Sequence, residues 1–414
     1  MKQNKIVLLT TGFPYGTGEN FISAELDALP DNVELEIVPF MFRGTGDARV
    51  IPKGIVVVDD CRVAQTKLNK IVYAIFSLIS KDFWVDIKER NKMSCGKFLQ
   101  ILGFYARSLE LYSRLKKKYV NELRNKNVTF YSYWLLEGAY AATLLQKKYN
   151  VKAYSRAHRV DVWDGMSVYR VVPARNATIK NITSVFVCSK DGQIYLQGKN
   201  PQYADKFQVG YLGTQDYGWL PGDNRGEEFI VVSCARIEPV KRVELLAEAL
   251  KNITDKKIHW VHFGDGSCRK KVEESIAGLP SNIRVSLMGT TQHDDVMEFY
   301  CKNAVNLFVN TSSSEGLPVS IMEAISFGIP VIATDVGGTR EIVNEDTGKL
   351  IKSAFSVKEL AELICSYVNR KSNDYAADRK KIRKFWEEHF KADRNYNFFY
   401  SKMTQEKIDV DKKI

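Results

Sequence analysis

The sequence predicts an α/β protein of two doubly wound domains, each a parallel sheet covered by helices, facing one another across a ligand cleft. Three observations carry this expectation. At 414 residues the chain is too long for one core and suits two domains of about 200 residues each. Its second half alternates apolar runs of strand length with segments of helical period, the pattern of a parallel sheet covered on both faces. A stretch rich in glycine, proline and polar residues, GTQDYGWLPGDNRGEE at 213–228, divides the halves as a linker.

In the first half KIVLLTTGF, VELEIVPF, VTFYSYW, KAYSRAH and SVFVCS read as strands of one sheet. In the second, FIVVSCA, IHWVHF, RVSLM, AVNLFV and PVIAT supply another, with helical periodicity in VKRVELLAEALKNI and DVMEFYCKN. The expected domains are 1–212 and 229–384, with 385–414 a C-terminal helix and tail returning to the first. Ligands of such sheets sit beyond the carboxyl ends of the strands.

Composition narrows the class. With 45% hydrophobic and 26% charged residues the chain reads as an ordinary soluble globular protein. The apolar run near the N-terminus is too short for a secretory h-region and reads as a first strand. IVYAIFSLIS at 71–80 falls short of a bilayer span. Seven cysteines show no C-x-x-C spacing and an odd total, which suits reduced thiols in a cytosol better than disulfides or a zinc site. The net charge of +11 is uneven: residues 1–206 hold 31 basic against 19 acidic residues, a surplus of 12, and 61–126 alone hold 15 against 5. That basic, aromatic, helical region suits an anionic lipid surface or nucleic acid, or else core-packing helices with solvated lysines. Nucleic acid is the weaker reading, because no recognition module accompanies the charge.

The most informative stretch is SSSEGLPVSIMEAISFGIPVIATD at 312–335. A helix is expected from Pro318, since proline suits a first helical position, to about Phe327, where Gly328 suits the left-handed residue after a helix. Glu315 then borders a helix N-terminus, an anion site, and Glu323 lies within the helix. A carboxylate beside an anion site repels the anion and suits hydroxyls attached to it, as in a sugar esterified to phosphate. A loop glutamate compensating the helix dipole and an exposed helix position are the plain structural alternatives. Arg236, after FIVVSCA, and Lys241, in the first turn of the next helix, could pair with a diphosphate. GDGS, with Gly264, and GTTQHDD, with Thr290, follow two further strands. TTGFPYGTGENFISAEL places Gly12, Gly16 and Gly18 after the first strand, a loop where backbone could approach phosphate although the spacing is not G-x-G-x-x-G.

Taken together these residues resemble the retaining glycosyltransferases of family 4, which have the GT-B fold of two facing Rossmann-like domains. The match is firmest in E-x7-E, Glu315 to Glu323, within EGLPVSIMEAISFGIPVIATDVGGTREIV, and extends to ARIEPVKRVELLAEAL and HFGDGS; SRAHRVDVW resembles the first-domain histidine segment. Where many members read E-G-F-G-L, this chain has Glu315-Gly316-Leu317-Pro318. The resemblance implies catalytic roles for Glu315, Arg236, Lys241 and His158. It implies a nucleotide-sugar held by Glu323, on the ribose, with Gly316, Leu317, Val319, Gly16, Gly18, Gly264 and Thr290. No metal or cofactor is expected, and a UDP-sugar is the expected donor. The remaining histidines, His259, His262, His293 and His389, lack metal-ligand spacing, and the D-x-D at Asp409 to Asp411 reads as an accident of a lysine-rich tail. The implied activity is transfer of a hexose-type sugar to a glycan acceptor, lipid-linked, in exopolysaccharide, capsule or lipopolysaccharide synthesis, at the cytoplasmic face of a membrane. Phe76, Phe83, Trp84 and Phe104, where exposed, would aid peripheral binding. The alternatives are a sugar-nucleotide epimerase or another enzyme of this fold.

Overall fold

The computed structural model describes residues 4–16, 18, 19, 21–44, 46–90, 93–223 and 225–404. The Asp409 to Asp411 motif lies outside these residues. The chain divides into two compact units, one formed by residues up to Tyr211 together with those from Tyr396 onward, the other by Leu212–Asn395.

The first unit holds β1 (Asn4–Thr10), β2 (Val33–Pro39), β3 (Val56–Val57), β4 (Val128–Ser132), β5 (Lys152–Ala157), β6 (Ser184–Val187) and β7 (Phe207–Val209), in the order β3-β2-β1-β4-β5-β6-β7. The second holds β8 (Phe229–Cys234), β9 (Ile258–Phe263), β10 (Ile283–Gly289), β11 (Val305–Asn310), β12 (Val331–Thr334) and β13 (Gly348–Ile351), in the order β10-β9-β8-β11-β12-β13. The pairings are parallel, from Asn4 opposite Val33 in β1 and β2 to Val331 opposite Gly348 in β12 and β13. Strands buried on both faces read as continuous apolar runs, as Ile6, Val7, Leu8 and Leu9 do, each essentially inaccessible. Each order reverses once, between β1 and β4 and between β8 and β11. At such a switch point neighbouring connections diverge and leave a crevice beyond the strand ends.

The expected strands formed, β9 to the residue, β10 longer by a residue at each end and the others with ends shifted by one to three residues, while β3, β7 and β13 were not foreseen. All three are short, and Gly348-Lys349-Leu350-Ile351 carries little of the apolar pattern.

In the first unit a fully buried ion pair ties the C-terminal helix to the sheet. Arg156 Nε lies 3.3 Å from Glu25, both inaccessible, and its guanidinium stacks 3.9 Å above the Phe399 ring. Tyr131 accepts from Arg156 Nε at 2.8 Å, and Tyr400 donates to Glu25 at 3.1 Å. The change of unit falls after Asn395, later than the expected 384/385, because Ser372–His389 is one helix whose Arg379 and Arg383 bond the carbonyls of Phe327 and Ser326. The described residues of 213–228 contain no helix or strand beyond the Thr214–Lys391 bridge and lie within the second unit, where Arg225 reaches the carbonyls of Tyr367, Val368 and Arg370.

The basic region forms the helices Lys67–Ile79, Lys81–Lys88, Cys95–Lys118 and Val120–Asn125. Phe83 and Phe104 are core residues, clustered with Ile101, Tyr105 and Tyr140, so neither can meet a membrane. Phe76 and Trp84 are exposed.

Candidate active site

At the β8/β11 switch point Lys241 Nζ donates to Glu315 Oε1 at 2.7 Å, and Asn310 Nδ2 donates to the same oxygen at 3.2 Å. Glu315 is only 7% exposed. Its charge is therefore compensated inside the fold, since a buried carboxylate without a partner would be strongly unfavourable. Asn310 is oriented by the Ser312 N–H, which donates to its Oδ1 at 3.0 Å. Lys241 sits in the turn ahead of the helix Glu244–Leu250, not in its first turn; its amide donates to the Glu238 carbonyl at 2.8 Å. Arg242, a residue sequence reasoning passed over, fixes this turn: at φ 49° it reaches the carbonyls of Thr311, Ser312 and Ser353. Its adjacency to Lys241 was the available signal.

The helix after Glu315 runs Val319–Ser326, with Pro318 at φ −74°, ψ 106° as the residue before it, one position later than expected. Ile321 and Met322 already donate to the Pro318 carbonyl, so the first-turn amides left for an external acceptor are those of Val319 and Ser320. Gly328 is left-handed at φ 67°, as its place after the helix requires. Within this helix Glu323 Oε1 meets His293 Nε2 at 2.8 Å. That hydrogen bond raises the His293 pKa above its ordinary value against the opposing effect of burial. His293 opens the helix His293–Lys302; it lies within GTTQHDD, the segment from which sequence reasoning singled out Thr290 instead.

Gly337 was also overlooked, although the GG of DVGGT was visible. It has φ 52°, and a Cβ there would lie 2.1 Å from the Glu315 carbonyl oxygen. Gly338 donates to the Gly316 carbonyl at 2.8 Å. The loop after β12 thus braces the Glu315-Gly316 backbone, and Leu317 is buried beside it.

Other expected site residues are placed differently. Arg236 is 79% exposed and pairs with Glu238 at 2.8 Å, so it does not join the Lys241–Glu315 pair. Gly264 is a close-packing glycine: at φ 131°, a Cβ would lie 1.9 Å from the Ala235 carbonyl oxygen. Thr290 is exposed just beyond β10.

In the first unit the amides that open the glycine loop are already taken. The N–H groups of Thr11, Gly12 and Phe13 donate to the Glu19 carboxylate at 3.1, 2.8 and 2.8 Å, so a side-chain anion already fills the nest. Gly16 and Gly18 offer their carbonyls to Arg49. Trp134 Nε1 donates to Glu19 at 2.7 Å, and its ring lies 4.8 Å from that of His158. His158 also stacks on Tyr133, with centroids 4.9 Å apart. Burial, aided by the Arg156 charge, lowers its pKa to about 3, so the imidazole is neutral at ordinary pH. Its Nε2 is buried and has no hydrogen-bond partner among the described residues. Asp161 accepts from the backbone of His158 and from Leu135, holding the segment in place.

Residues 222–385 match the family model for glycosyl transferases group 1, so the segment carrying this pair is homologous to glycosyltransferases. The sulfoquinovosyl transferase SQD2 of Arabidopsis thaliana is 32% identical over 120 residues, 29% of this chain and 22% of that protein. The lipopolysaccharide 1,6-galactosyltransferase of Escherichia coli K12 is 29% identical over 153 residues, 36% of this chain and 42% of that one. The chain thus spans 22% to 42% of the length of these curated relatives. The crystal structure of Anabaena Alr3699/HepE in complex with UDP aligns with 97% of this chain and 100% of that chain at a TM-score of 0.66 and 16% identity. That likeness shows the fold, two Rossmann-like units of the GT-B class.

Proposed function

We propose that this chain is a retaining, metal-independent glycosyltransferase of family 4. It takes a hexose-type sugar from a UDP-sugar and passes it to a glycan acceptor, lipid-linked, in the assembly of a surface polysaccharide at the inner face of a membrane. The observation that carries the reading is the 2.7 Å Lys241–Glu315 pair at the switch point of the segment homologous to glycosyltransferases.

Departure of a nucleoside diphosphate builds negative charge on the leaving oxygen, and preorganised cations and amides stabilise it most when fixed beforehand. Lys241 is already oriented, and the amides of Val319 and Ser320 lie at a helix N-terminus. Among the described residues Glu315 takes both its donors on Oε1, which leaves Oε2 to accept a sugar hydroxyl. Glu323 takes the ribose hydroxyls, with His293 aligning it. Arg236 adds an exposed cation that can leave Glu238 for phosphate. Gly316, Leu317 and Val319 supply backbone around the sugar, and His158 is assigned, through the resemblance, a neutral hydrogen-bonding role toward it.

Incubation with UDP-sugars and glycan acceptors, read by proton NMR of the new anomeric centre, tests the reading. An α-linked product from an α-linked donor, formed in EDTA, is expected. An inverted product, or activity lost in EDTA and restored by manganese, would overturn it.

A further inference from the structure

The helix Lys67–Ile79 is turned the wrong way round for a soluble protein. A surface helix ordinarily buries its apolar stripe and shows its polar face to water. Here the inward face is polar or small: Asn69 donates to Glu110 at 3.1 Å on the neighbouring helix Cys95–Lys118, and Ser77 is fully buried. The outward face carries Leu68, Ile71, Ile75, Phe76 and Ile79, with Leu68 68%, Phe76 53% and Ile79 75% exposed. At 100° per residue these positions share one side of the helix. Trp84, Val85 and Leu99 on the next two helices are exposed as well.

Contiguous exposed apolar surface of this kind marks an interaction site, and the charges around it identify the occupant. From Arg62 to Lys81 the chain has no acidic residue; its charges are Arg62, Lys67, Lys70 and Lys81. Arg62 is paired with Asp59 at 2.7 Å, and a two-fold dimer through this face would bring Lys67, Lys70 and Lys81 of both copies together. A bilayer with anionic headgroups satisfies both halves of the pattern, taking the lysines at its surface and the aliphatic stripe beneath. The helix has 13 residues, short of the roughly 20 needed to span, so it lies along the interface.

We propose that the helix Lys67–Ile79 is a membrane-interface anchor, with its aliphatic face in the outer acyl region of an anionic leaflet and its lysines among the headgroups. The anchor rests on the lipid-linked acceptor reading for its use in the cell. Its binding is measured without donor or acceptor, so the two readings can fail separately.

The test is co-sedimentation of the full chain with phosphatidylcholine vesicles with and without phosphatidylglycerol, at low and high salt. The native chain is expected to bind the anionic vesicles, more weakly but still measurably at high salt, because insertion is apolar as well as electrostatic. Ile75→Gln with Ile79→Gln, both on the exposed face, should lower the partition constant at least about tenfold. Far-UV circular dichroism should be unchanged. Lys67→Gln with Lys70→Gln should reduce the preference for phosphatidylglycerol while leaving the salt-resistant part. Absence of binding by the native chain overturns the proposal, as does binding by the isoleucine variant equal to the native. A native dimer that ignores vesicles and dissociates in the isoleucine variant also overturns it, in favour of a second copy.

Discussion

Glu323 and His293, 30 residues apart in sequence, meet at 2.8 Å, so the second glutamate of E-x7-E is held by a residue outside the motif. The carboxylate favours the protonated imidazole, and the His293 pKa lies above 6.5. The folded-state value exceeds the unfolded one. The pair's contribution is therefore complete below pH 6.5 and is lost as the pH rises through the raised value. Proton NMR should show His293 titrating above 6.5 and returning toward 6.5 in Glu323→Gln. An unchanged midpoint in that variant would disprove the coupling.

The two glutamates should fail differently when truncated. Loss of a hydrogen bond to a charged group costs about 1.5 to 3 kcal/mol, roughly 10- to 150-fold. Glu315→Ala should lower kcat by that factor and leave UDP affinity close to native. Glu323→Ala should weaken UDP binding by a similar factor, read by calorimetry. Native UDP affinity in Glu323→Ala would remove the ribose assignment.

Gly337→Ala puts a Cβ 2.1 Å from the Glu315 carbonyl oxygen, at a φ of 52° that alanine rarely adopts. It should cost at least about 1 kcal/mol of stability and lower kcat by moving the Glu315 backbone. Gly226→Ala, where an added Cβ meets nothing within 4 Å, is the matched control and should be near neutral in both measurements.

The Glu25–Arg156 pair is inaccessible on both sides. Glu25→Leu leaves a buried guanidinium with one partner fewer and should cost about 3 to 5 kcal/mol. A lower midpoint for the first unit's urea transition checks this. A midpoint equal to the native would show that the pair does not hold the C-terminal helix.

How much of this was legible in the sequence depended on the range of the interaction. β9 was readable to the residue because IHWVHF is buried along its whole length, whereas β13 was not, because a four-residue edge strand needs only its neighbour β12. Lys241 and Glu315 could be named from local context, but their bond spans 74 residues and is set by two loops leaving adjacent strands. Glu19 was not foreseen in the glycine loop: a carboxylate six residues from the nearest amide it caps resembled an ordinary loop residue until the turn at φ 58° aimed it back at Phe13 and Gly12. The aromatic residues of the basic region were split by helix phase, Phe83 and Phe104 inward, Phe76 and Trp84 outward, which composition could not resolve.

The central claim is that the second unit binds a nucleoside diphosphate-sugar through Lys241, Glu315 and Glu323. Its most direct test is the melting temperature of the full chain against a panel of nucleotides and nucleotide-sugars in EDTA. A ligand at 100 times its Kd stabilises the fold that binds it by about 2.7 kcal/mol, which is readily visible as a shift. The expected result is a shift with UDP or a UDP-sugar that Glu323→Ala at least halves at the same ligand concentration. No shift with any nucleoside diphosphate or nucleotide-sugar at millimolar concentration would contradict the account.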